Sequence, residues 1–164
     1  MKSNVLIASV LGILGFSLIA GCGKTPSNGY TTCTDLPTSS DSAILLNFAS
    51  SRSITTTKDT SGLYYQIISQ GSGATPTVNS TVFVTYVGEL MNGNIFDSTT
   101  NSAKTGFLVN QLIPGWQIGL PKIQAGGHIK LLIPSQLGYG CMGSSPIVPS
   151  NAPLYFDITL VSVQ

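Results

Sequence analysis

Charged side chains are scarce in this chain of 164 residues. Seven Lys or Arg and six Asp or Glu make up only 8% of the sequence, whereas about 25% is usual in soluble domains. No run of like charge is present, which argues against a surface that binds nucleic acid or an anionic membrane. Disorder throughout the chain is also excluded, because mean hydropathy is positive and 42% of the residues are hydrophobic.

Histidine and cysteine are also rare, with one His and three Cys in the chain. Because His128 stands alone and no Cys/His cluster has the spacing of metal ligands, no metal site is expected. At this length we expect one domain, with a core large enough to form without a metal. The polarity of the chain must come mainly from uncharged residues, chiefly Ser and Thr.

The first 21 residues predict an export signal. Lys2 is the only charged residue among the first 23, and an uncharged apolar stretch covers residues 5–20. This stretch is shorter than the roughly 20 residues that a membrane-spanning helix needs, and it lacks a cationic stop-transfer flank. We therefore expect residues 1–21 to be a signal peptide that is cleaved.

Residues 18–22, Leu-Ile-Ala-Gly-Cys, resemble the bacterial lipoprotein box. In that motif, small residues before the cysteine admit the peptidase, and the thiol is alkylated with diacylglycerol. Cys22 is thus the expected lipidation site, and several acyl chains would anchor the protein stably to a membrane. Gly23 stands where an aspartate often retains such lipoproteins in an inner membrane, which favours an outer membrane facing the periplasm or the cell surface. The alternative is an ordinary signal peptide or a single anchor helix, in which Cys22 has no role.

An extracytoplasmic location changes the expectation for the other two cysteines. With Cys22 lipidated, Cys33 and Cys141 remain as an even pair in a compartment where disulfides persist. The residues leave two alternatives open, a Cys33–Cys141 disulfide or two free thiols.

Residues 22–61 are predicted to be a lipidated tether with one short helix. The tether is rich in Ser and Thr, with Gly, Pro and Asn near its start. Residues 42–51 can form the helix, with Asp41 as its N-cap. The apolar face of this helix would consist of Ile44, Leu45 and Phe48. Whether residues 39–61 pack on the following domain is left open.

The rest of the chain carries mainly strand signals, namely β-branched and aromatic residues and period-two alternation. An Asn-Gly pair at residues 92–93 predicts a hairpin turn. The predicted strands are residues 63–69, 81–87, a strand beginning at Phe96, 128–134 and 154–163.

One segment of this region has helical spacing instead. Pro114 suits its first turn and Gly126 its end, whereas Pro121 predicts that the helix is short or bent because proline cannot donate a backbone hydrogen bond. Its apolar residues are Ile113, Trp116, Leu120 and Ile123. The expected fold class is α+β, an antiparallel sheet of about five strands wrapped on one short α-helix.

Several short segments occur together in a recognisable order. They read VTYVG at 84–88, GNIFDS at 93–98, QLIPGW at 111–116, IPSQLGYG at 133–140, IVP at 147–149 and LYFD at 154–157. In this order, and at nearly this spacing, they resemble the FKBP family of peptidyl-prolyl cis-trans isomerases, or rotamases. The resemblance covers about residues 62–163 and implies an FKBP-type isomerase domain at residues 62–164.

The resemblance also implies roles for individual side chains. The Tyr139 hydroxyl would donate a hydrogen bond to a substrate carbonyl, and Asp97 would lie at the rim beside the rotating carbonyl carbon. Trp116 would form the floor beneath the proline ring. The walls of the substrate-binding site would be Tyr86, Phe96, Leu112, Ile113, Ile147, Val148 and Phe156. A further aromatic wall of the family corresponds to Phe107 or, alternatively, Thr105.

The implied reaction needs an apolar cleft more than it needs reactive groups. Rotation about a peptide bond has a barrier of about 18–20 kcal/mol, so an Xaa-Pro bond isomerises over tens of seconds. A catalyst must bind the twisted amide better than the planar one. The planar amide has the larger dipole, so an apolar cleft disfavours it relative to the twisted form. No covalent intermediate, metal or organic cofactor is therefore expected.

The predicted function is acceleration of Xaa-Pro rotation in exported proteins. The expected partners are proline-containing polypeptides and, through the N-terminal lipid, a membrane, with no nucleic acid. A monomer is expected, because the chain contains neither a second isomerase domain nor a long dimerisation helix. One alternative is a chaperone or peptide-binding lipoprotein of the same fold without significant catalysis, and a weaker one is an adhesion or structural lipoprotein.

Overall fold

The computed structural model describes residues 33–101 and 106–164. The signal peptide, Cys22 and Thr105 lie outside the described residues. Within the two described ranges, no helix is both long and apolar enough to cross a membrane.

The described residues form an antiparallel sheet of seven strands. The strands are β1 (Thr57–Lys58), β2 (Tyr64–Ser69), β3 (Thr81–Leu90), β4 (Ile95–Thr99), β5 (Phe107–Leu108), β6 (His128–Ile133) and β7 (Leu154–Val163). Their order is β1-β2-β6-β7-β3-β4, and β5 pairs with β3 beside this path. The five longer strands correspond to those predicted from the sequence, and the α+β class is confirmed. The predicted hairpin turn joins β3 to β4, where Gly93 has a φ of 87°.

Strand β7 lies at the centre of the sheet, between β6 and β3. Its residues Leu154, Phe156, Ile158 and Leu160 are buried, as period-two alternation predicts. Tyr155 points to the opposite face of the sheet but is also buried. The reason is that helix α1 (Ser42–Ser51) covers this part of the second face, and the Phe48 and Tyr155 rings lie 5.2 Å apart.

Helix α2 (Pro114–Gly119) packs against β6 on the other face. Gly115 and Gly119 permit the close approach, since a Cβ on either would lie within 2.7 Å of the side chain of Ile133 or Leu131. The helix begins at Pro114 as predicted, but its predicted end at Gly126 is wrong. The chain tightens into a 3-10 turn at Leu120–Lys122, because Pro121 lacks the N–H that would continue the α-helix.

Helix α1 occupies the predicted residues and Asp41 stands at its N-cap position, but the role of the Asp41 side chain and the predicted apolar face are wrong. Asp41 does not cap the helix with its side chain, because it belongs to a 3-10 turn, Thr38–Asp41, and has a helical backbone. Its carboxylate instead accepts hydrogen bonds from the backbone N–H and the hydroxyl of Ser135, both at 2.7 Å. Ile44 is not part of the buried face, since its side chain is 46% exposed.

The segment before the longer strands packs on the sheet, which answers the question that the sequence left open. A hydrophobic cluster forms under α1, separate from the main core between the sheet and α2. Its buried members are Leu45, Phe48, Ala49, Ile54, Tyr64, Leu132 and Tyr155. Residues 42–54 therefore contribute buried surface to the domain.

The structure also joins Cys33 to Cys141 in a disulfide, with the two Cα atoms 5.6 Å apart. Cys141 lies in the loop of residues 138–153, which we call the rim loop. Beside the disulfide, Oδ1 of Asp35 accepts a hydrogen bond of 2.7 Å from the backbone N–H of Cys141. Residues 33–35 are thereby attached to the rim loop by one covalent and one hydrogen bond.

Candidate active site

A cavity of about 230 Å³ opens between strands β3, β4, β5 and β7, helix α2 and the rim loop. Most of its lining is aromatic or aliphatic, and its polar side-chain groups are two tyrosine hydroxyls, one carboxylate, one amide and the indole N–H of Trp116, which is buried without a hydrogen-bond partner among the described residues. The lining residues are Tyr86, Asp97, Phe107, Gln111, Leu112, Ile113, Trp116, Tyr139 and Phe156.

Trp116 forms a rigid aromatic centre for this cavity. Helix α2 places the indole against the sheet, where only 4% of the residue is exposed. Two rings pack against it nearly at right angles, Tyr86 at a centroid distance of 5.2 Å and Phe156 at 5.1 Å. Edge-to-face contacts of this kind stabilise ring packing beyond the burial of area, so they fix the orientation of all three rings.

Gly88 makes this aromatic arrangement possible. It lies on β3, on the same face as Tyr86 and opposite Phe156 on β7. A Cβ at this position would lie 2.7 Å from Cε1 of Phe156 and 2.9 Å from Cζ of Phe96. The absence of a side chain at Gly88 therefore leaves the space that these two rings occupy.

Tyr86 and Asp97 form a polar pair at the edge of the cavity. The Tyr86 hydroxyl donates a hydrogen bond of 2.7 Å to Oδ2 of Asp97. Burial raises the pKa of Tyr86 well above its usual range, and the neighbouring carboxylate raises it further. Tyr86 therefore stays protonated at neutral pH and holds the exposed Asp97 carboxylate in one orientation.

Tyr139 supplies a second hydroxyl from the rim loop. Its side chain is half-buried, and the pKa of Tyr139 is raised by this burial and by the negative charge of Asp97. The hydroxyl is consequently protonated at neutral pH. It makes no hydrogen bond with any residue in the two described ranges, so its proton is available to an acceptor that enters the cavity.

The structure brings most of the sequence-predicted site residues together. Those that line the cavity are Tyr86, Asp97, Leu112, Ile113, Trp116, Tyr139 and Phe156. Phe96 instead packs edge-on against Phe156, with the ring centroids 5.4 Å apart. Val148 is buried in the main core, and Ile147 is 56% exposed on the rim loop. None of these three lines the cavity in this structure, and their contact with substrate stays a prediction.

Two lining residues were not among the predicted site residues. Phe107, one of two candidates for a further aromatic wall, lies in β5 with its ring 6.3 Å from that of Tyr86. Gln111 also lines the cavity, and its place in the QLIPGW segment is the signal that could have indicated it. A two-residue strand such as β5 is too short for alternation to reveal, so the sequence alone could not choose Phe107.

A larger cavity of about 430 Å³ lies mainly on the opposite face of the sheet. Its charged side chains are paired with one another. Nζ of Lys130 lies 2.7 Å from Oδ2 of Asp157, and His128 contacts the other carboxylate oxygen of Asp157. Nη2 of Arg52 lies 2.6 Å from Oε2 of Glu89. We therefore place the candidate site in the smaller, aromatic cavity, where the Tyr139 hydroxyl has no partner among the described residues and can meet a ligand.

The side chains of the aromatic cavity define what it can bind. A rigid indole packed between two other aromatic rings suits a small apolar ring, and a protonated hydroxyl suits a carbonyl oxygen beside that ring. Across residues 33–101 and 106–164, no group of three or more His, Cys, Asp or Glu side chains is placed to hold a metal ion.

Comparisons with known proteins agree with this description. The family model for FKBP-type peptidyl-prolyl cis-trans isomerases matches residues 73–161. The FKBP-type peptidyl-prolyl cis-trans isomerase FkpA of Escherichia coli (strain K12) is 40% identical over 118 residues, which make up 71% of this chain and 43% of FkpA. The matched residues 73–161 include every residue that lines the aromatic cavity, whereas α1 lies before them.

Solved structures are also similar over most of the chain, and two of them illustrate this. The crystal structure of FkpA from Escherichia coli gives a TM-score of 0.67 at 34% identity, covering 77% of this chain and 61% of that one. A peptidyl-prolyl cis-trans isomerase from Pseudomonas syringae pv. tomato str. DC3000 gives a TM-score of 0.65 at 30% identity, covering 80% of this chain and 98% of that one. The chain spans less than half the length of the curated relatives that it matches.

Proposed function

The chain belongs to the FKBP-type peptidyl-prolyl cis-trans isomerase family, and from this premise we propose that it accelerates rotation about Xaa-Pro peptide bonds in polypeptides. The observation that carries the proposal is the aromatic cavity with Trp116 at its centre and the Tyr139 hydroxyl at its rim. A proline ring is the small apolar ring that this cavity suits, and every Xaa-Pro bond places a carbonyl beside that ring.

The proposed mechanism requires no bond to break. In the cavity, apolar walls replace the water that solvates the planar amide, which has the larger dipole, and so favour the twisted amide. The Tyr139 hydroxyl, kept protonated by its raised pKa, donates to a substrate carbonyl oxygen. Asp97, oriented by Tyr86, lies beside the carbonyl carbon as it rotates. These residues stabilise the twisted state and form no covalent bond with the substrate.

The proposal is tested by measuring isomerisation of a proline tetrapeptide in a protease-coupled assay. We expect the wild-type chain to raise the rate above the uncatalysed one. Asp97→Ala and Tyr139→Phe should each lower kcat/KM by roughly five- to tenfold, the effect of losing about one hydrogen bond or oriented charge. Both variants should keep the urea midpoint of the wild type.

Tyr65→Phe on β2 is the matched control, because it removes a tyrosine hydroxyl outside the cavity and should leave kcat/KM unchanged. A wild-type rate equal to the uncatalysed rate would falsify the enzymatic proposal. Suppression of aggregation that survives Trp116→Ala, without any catalysis, would favour the alternative of a chaperone or peptide-binding protein.

We further propose that the protein acts on exported polypeptides while anchored by lipid at Cys22, outside the cytoplasm, as a monomer. The lipoprotein-like residues 18–22 support this location, and the Cys33–Cys141 disulfide suits an oxidising compartment. Intact-mass analysis of the protein from a bacterial membrane fraction tests the anchor. The expected mature chain begins at a diacylglyceryl-modified Cys22, and an unmodified Cys22 in that fraction would rule the anchor out.

A further inference from the structure

Tyr139 lies between two glycines of the rim loop, Gly138 and Gly140. Glycine adopts a wider range of backbone conformations than other residues, so neither neighbour by itself fixes the direction of the tyrosine side chain. The ring of Tyr139 packs on the main core, but its hydroxyl has no hydrogen-bond partner in the two described ranges. The position of this hydroxyl therefore depends on the groups that restrain the backbone on either side of it.

The backbone before Tyr139 is attached to the buried part of the domain. Oδ2 of Asp41 accepts hydrogen bonds of 2.7 Å from the backbone N–H and the hydroxyl of Ser135, and Asp41 is only 6% exposed. The carbonyl of Ser135 in turn accepts a hydrogen bond of 3.0 Å from the N–H of Gly138. Hydrogen bonds shielded from water in this way are strong, so the chain is well held up to Gly138.

The backbone after Tyr139 is restrained by Asp35. Oδ1 of Asp35 accepts a hydrogen bond of 2.7 Å from the N–H of Cys141. Because a peptide unit is planar, this hydrogen bond restrains the whole unit between Gly140 and Cys141. Gly140 has a φ of 58°, and a Cβ on it would overlap Oδ1 of Asp35 and lie 3.2 Å from its Cγ. The carboxylate thus also fills the space beside this glycine.

The other attachments after Tyr139 restrain the backbone less. The disulfide joins Cys141 to Cys33 through rotatable side-chain bonds, so it limits the distance between two segments without fixing a peptide plane. The remaining hydrogen bonds of residues 139–141 in the described chain stay within the rim loop. Their partners are Gly143, Ser150 and Asn151.

We propose that Asp35 is a positioning residue, which places the Tyr139 hydroxyl for its hydrogen bond to a substrate carbonyl by holding the backbone after it. This role rests on the proposed isomerase activity. Asp35 precedes residues 73–161, so the accuracy of the site depends on a side chain from outside the matched isomerase domain.

Asp35→Ala tests the role, and because Asp35 is exposed the variant should keep the urea midpoint close to that of the wild type. We expect kcat and kcat/KM for a proline peptide to fall by the same factor, about threefold, since misplacing a group that acts in the twisted state leaves ground-state binding unchanged. Asp35→Asn keeps an oxygen that accepts from the Cys141 N–H, and it should stay within about 1.5-fold of the wild type. Wild-type kcat in Asp35→Ala, or an equal loss in both variants, would overturn the role.

A double-mutant cycle with Tyr139→Phe shows whether Asp35 acts through the hydroxyl. In the Tyr139→Phe background no hydroxyl remains to be positioned, so Asp35→Ala should cause no further loss of kcat. The same fold loss in both backgrounds would mean that Asp35 acts in some other way and would contradict the proposal.

Asp59→Ala is the matched control. Oδ1 of Asp59 also accepts a backbone hydrogen bond, at 2.9 Å from the N–H of Ser61, but Asp59 does not line the aromatic cavity. The variant should lower stability and leave kcat of the folded protein unchanged. A loss of kcat equal to that of Asp35→Ala would show a general effect of weakening the fold and would contradict positioning.

The readouts separate this role from the proposed function. A wild type that does not accelerate the proline peptide contradicts the proposed function itself. An active wild type that is impaired by Tyr139→Phe and not by Asp35→Ala contradicts only the role of Asp35.

Discussion

At the scale of single residues, the candidate site depends as much on a missing side chain as on the polar groups. Gly88 leaves room for the Phe96 and Phe156 rings, and Phe156 in turn contacts the indole of Trp116. The position of the indole is therefore linked to a glycine on a neighbouring strand. Densely packed rings of this kind cannot absorb an added methyl group without moving.

We expect Gly88→Ala to displace Phe156 and impair the site. The new Cβ would overlap both rings, which should lower the free energy of unfolding by about 1–3 kcal/mol, as overpacking does, and lower kcat/KM for a proline peptide several-fold. Urea unfolding and the peptide assay measure the two effects. Adding Phe96→Leu removes one of the two clashes and should restore part of the stability; a double variant no more stable than Gly88→Ala would contradict this account.

At the scale of elements, the rim loop shows how a segment without regular structure is held in place. It carries Tyr139, which lines the cavity, and Cys141, which is bonded to Cys33. The hydrogen bond from the Cys141 N–H to Asp35 adds a second attachment. Loops usually contribute functional residues only when a rigid scaffold positions them, and here the segment at residues 33–35 is part of that scaffold.

The disulfide predicts a specific pattern of thiol labelling. In the folded, non-reduced protein neither Cys33 nor Cys141 should react with an alkylating agent, and both should react after reduction. Cys33→Ser should lower the free energy of unfolding by about 2–5 kcal/mol, since the bridge closes a loop of more than 100 residues. Alkylation followed by mass spectrometry is the measurement, and labelling of both thiols without reductant would exclude the bridge.

At the scale of the whole molecule, the order of strands assembles the site. Tyr86 and Phe156 come from neighbouring strands at the centre of the sheet, Asp97 comes from the edge strand β4, and α2 brings Trp116 across the same face. On the opposite face, α1 covers the sheet with its own hydrophobic cluster. Segments that are distant in sequence are also joined by ion pairs, such as that between Asp59 and Lys122.

This ion pair predicts a change in stability at acid pH. A hydrogen bond from Lys122, at 2.7 Å, and others from Ser61 lower the pKa of Asp59 to about 2, compared with 3.8 for the free side chain. Because the pKa is lower in the folded state, the stabilisation is complete above about pH 4 and is lost as the pH falls through about 2. The wild type should therefore lose stability over this range.

Asp59→Asn isolates the contribution, because asparagine can still accept the backbone hydrogen bond from Ser61. Urea unfolding at several pH values should show the wild type to be more stable than this variant at pH 5, with the difference shrinking towards zero near pH 2. A difference that stays constant across this range would mean that the ion pair does not stabilise the fold.

The sequence by itself determined the elements and most of the site. Period-two alternation located the five longer strands, and helical spacing with Pro114 located the start of α2. The short segments whose order along the chain resembles the FKBP family predicted Trp116, Asp97 and Tyr139 as site residues, and all three line the cavity. These features depend on local periodicity and on residue types at short spacing, which can be observed without knowing how distant segments pack.

The tertiary structure decided the features that depend on which surfaces meet. In the folded chain the Asp41 side chain bonds to Ser135 and does not cap α1. Ile44 is exposed beside a groove, and Phe107 lines the aromatic cavity. It also chose the Cys33–Cys141 disulfide over two free thiols. The partners of these residues lie far away in the chain, and only the packing of α1, the sheet and the rim loop brings them within contact distance.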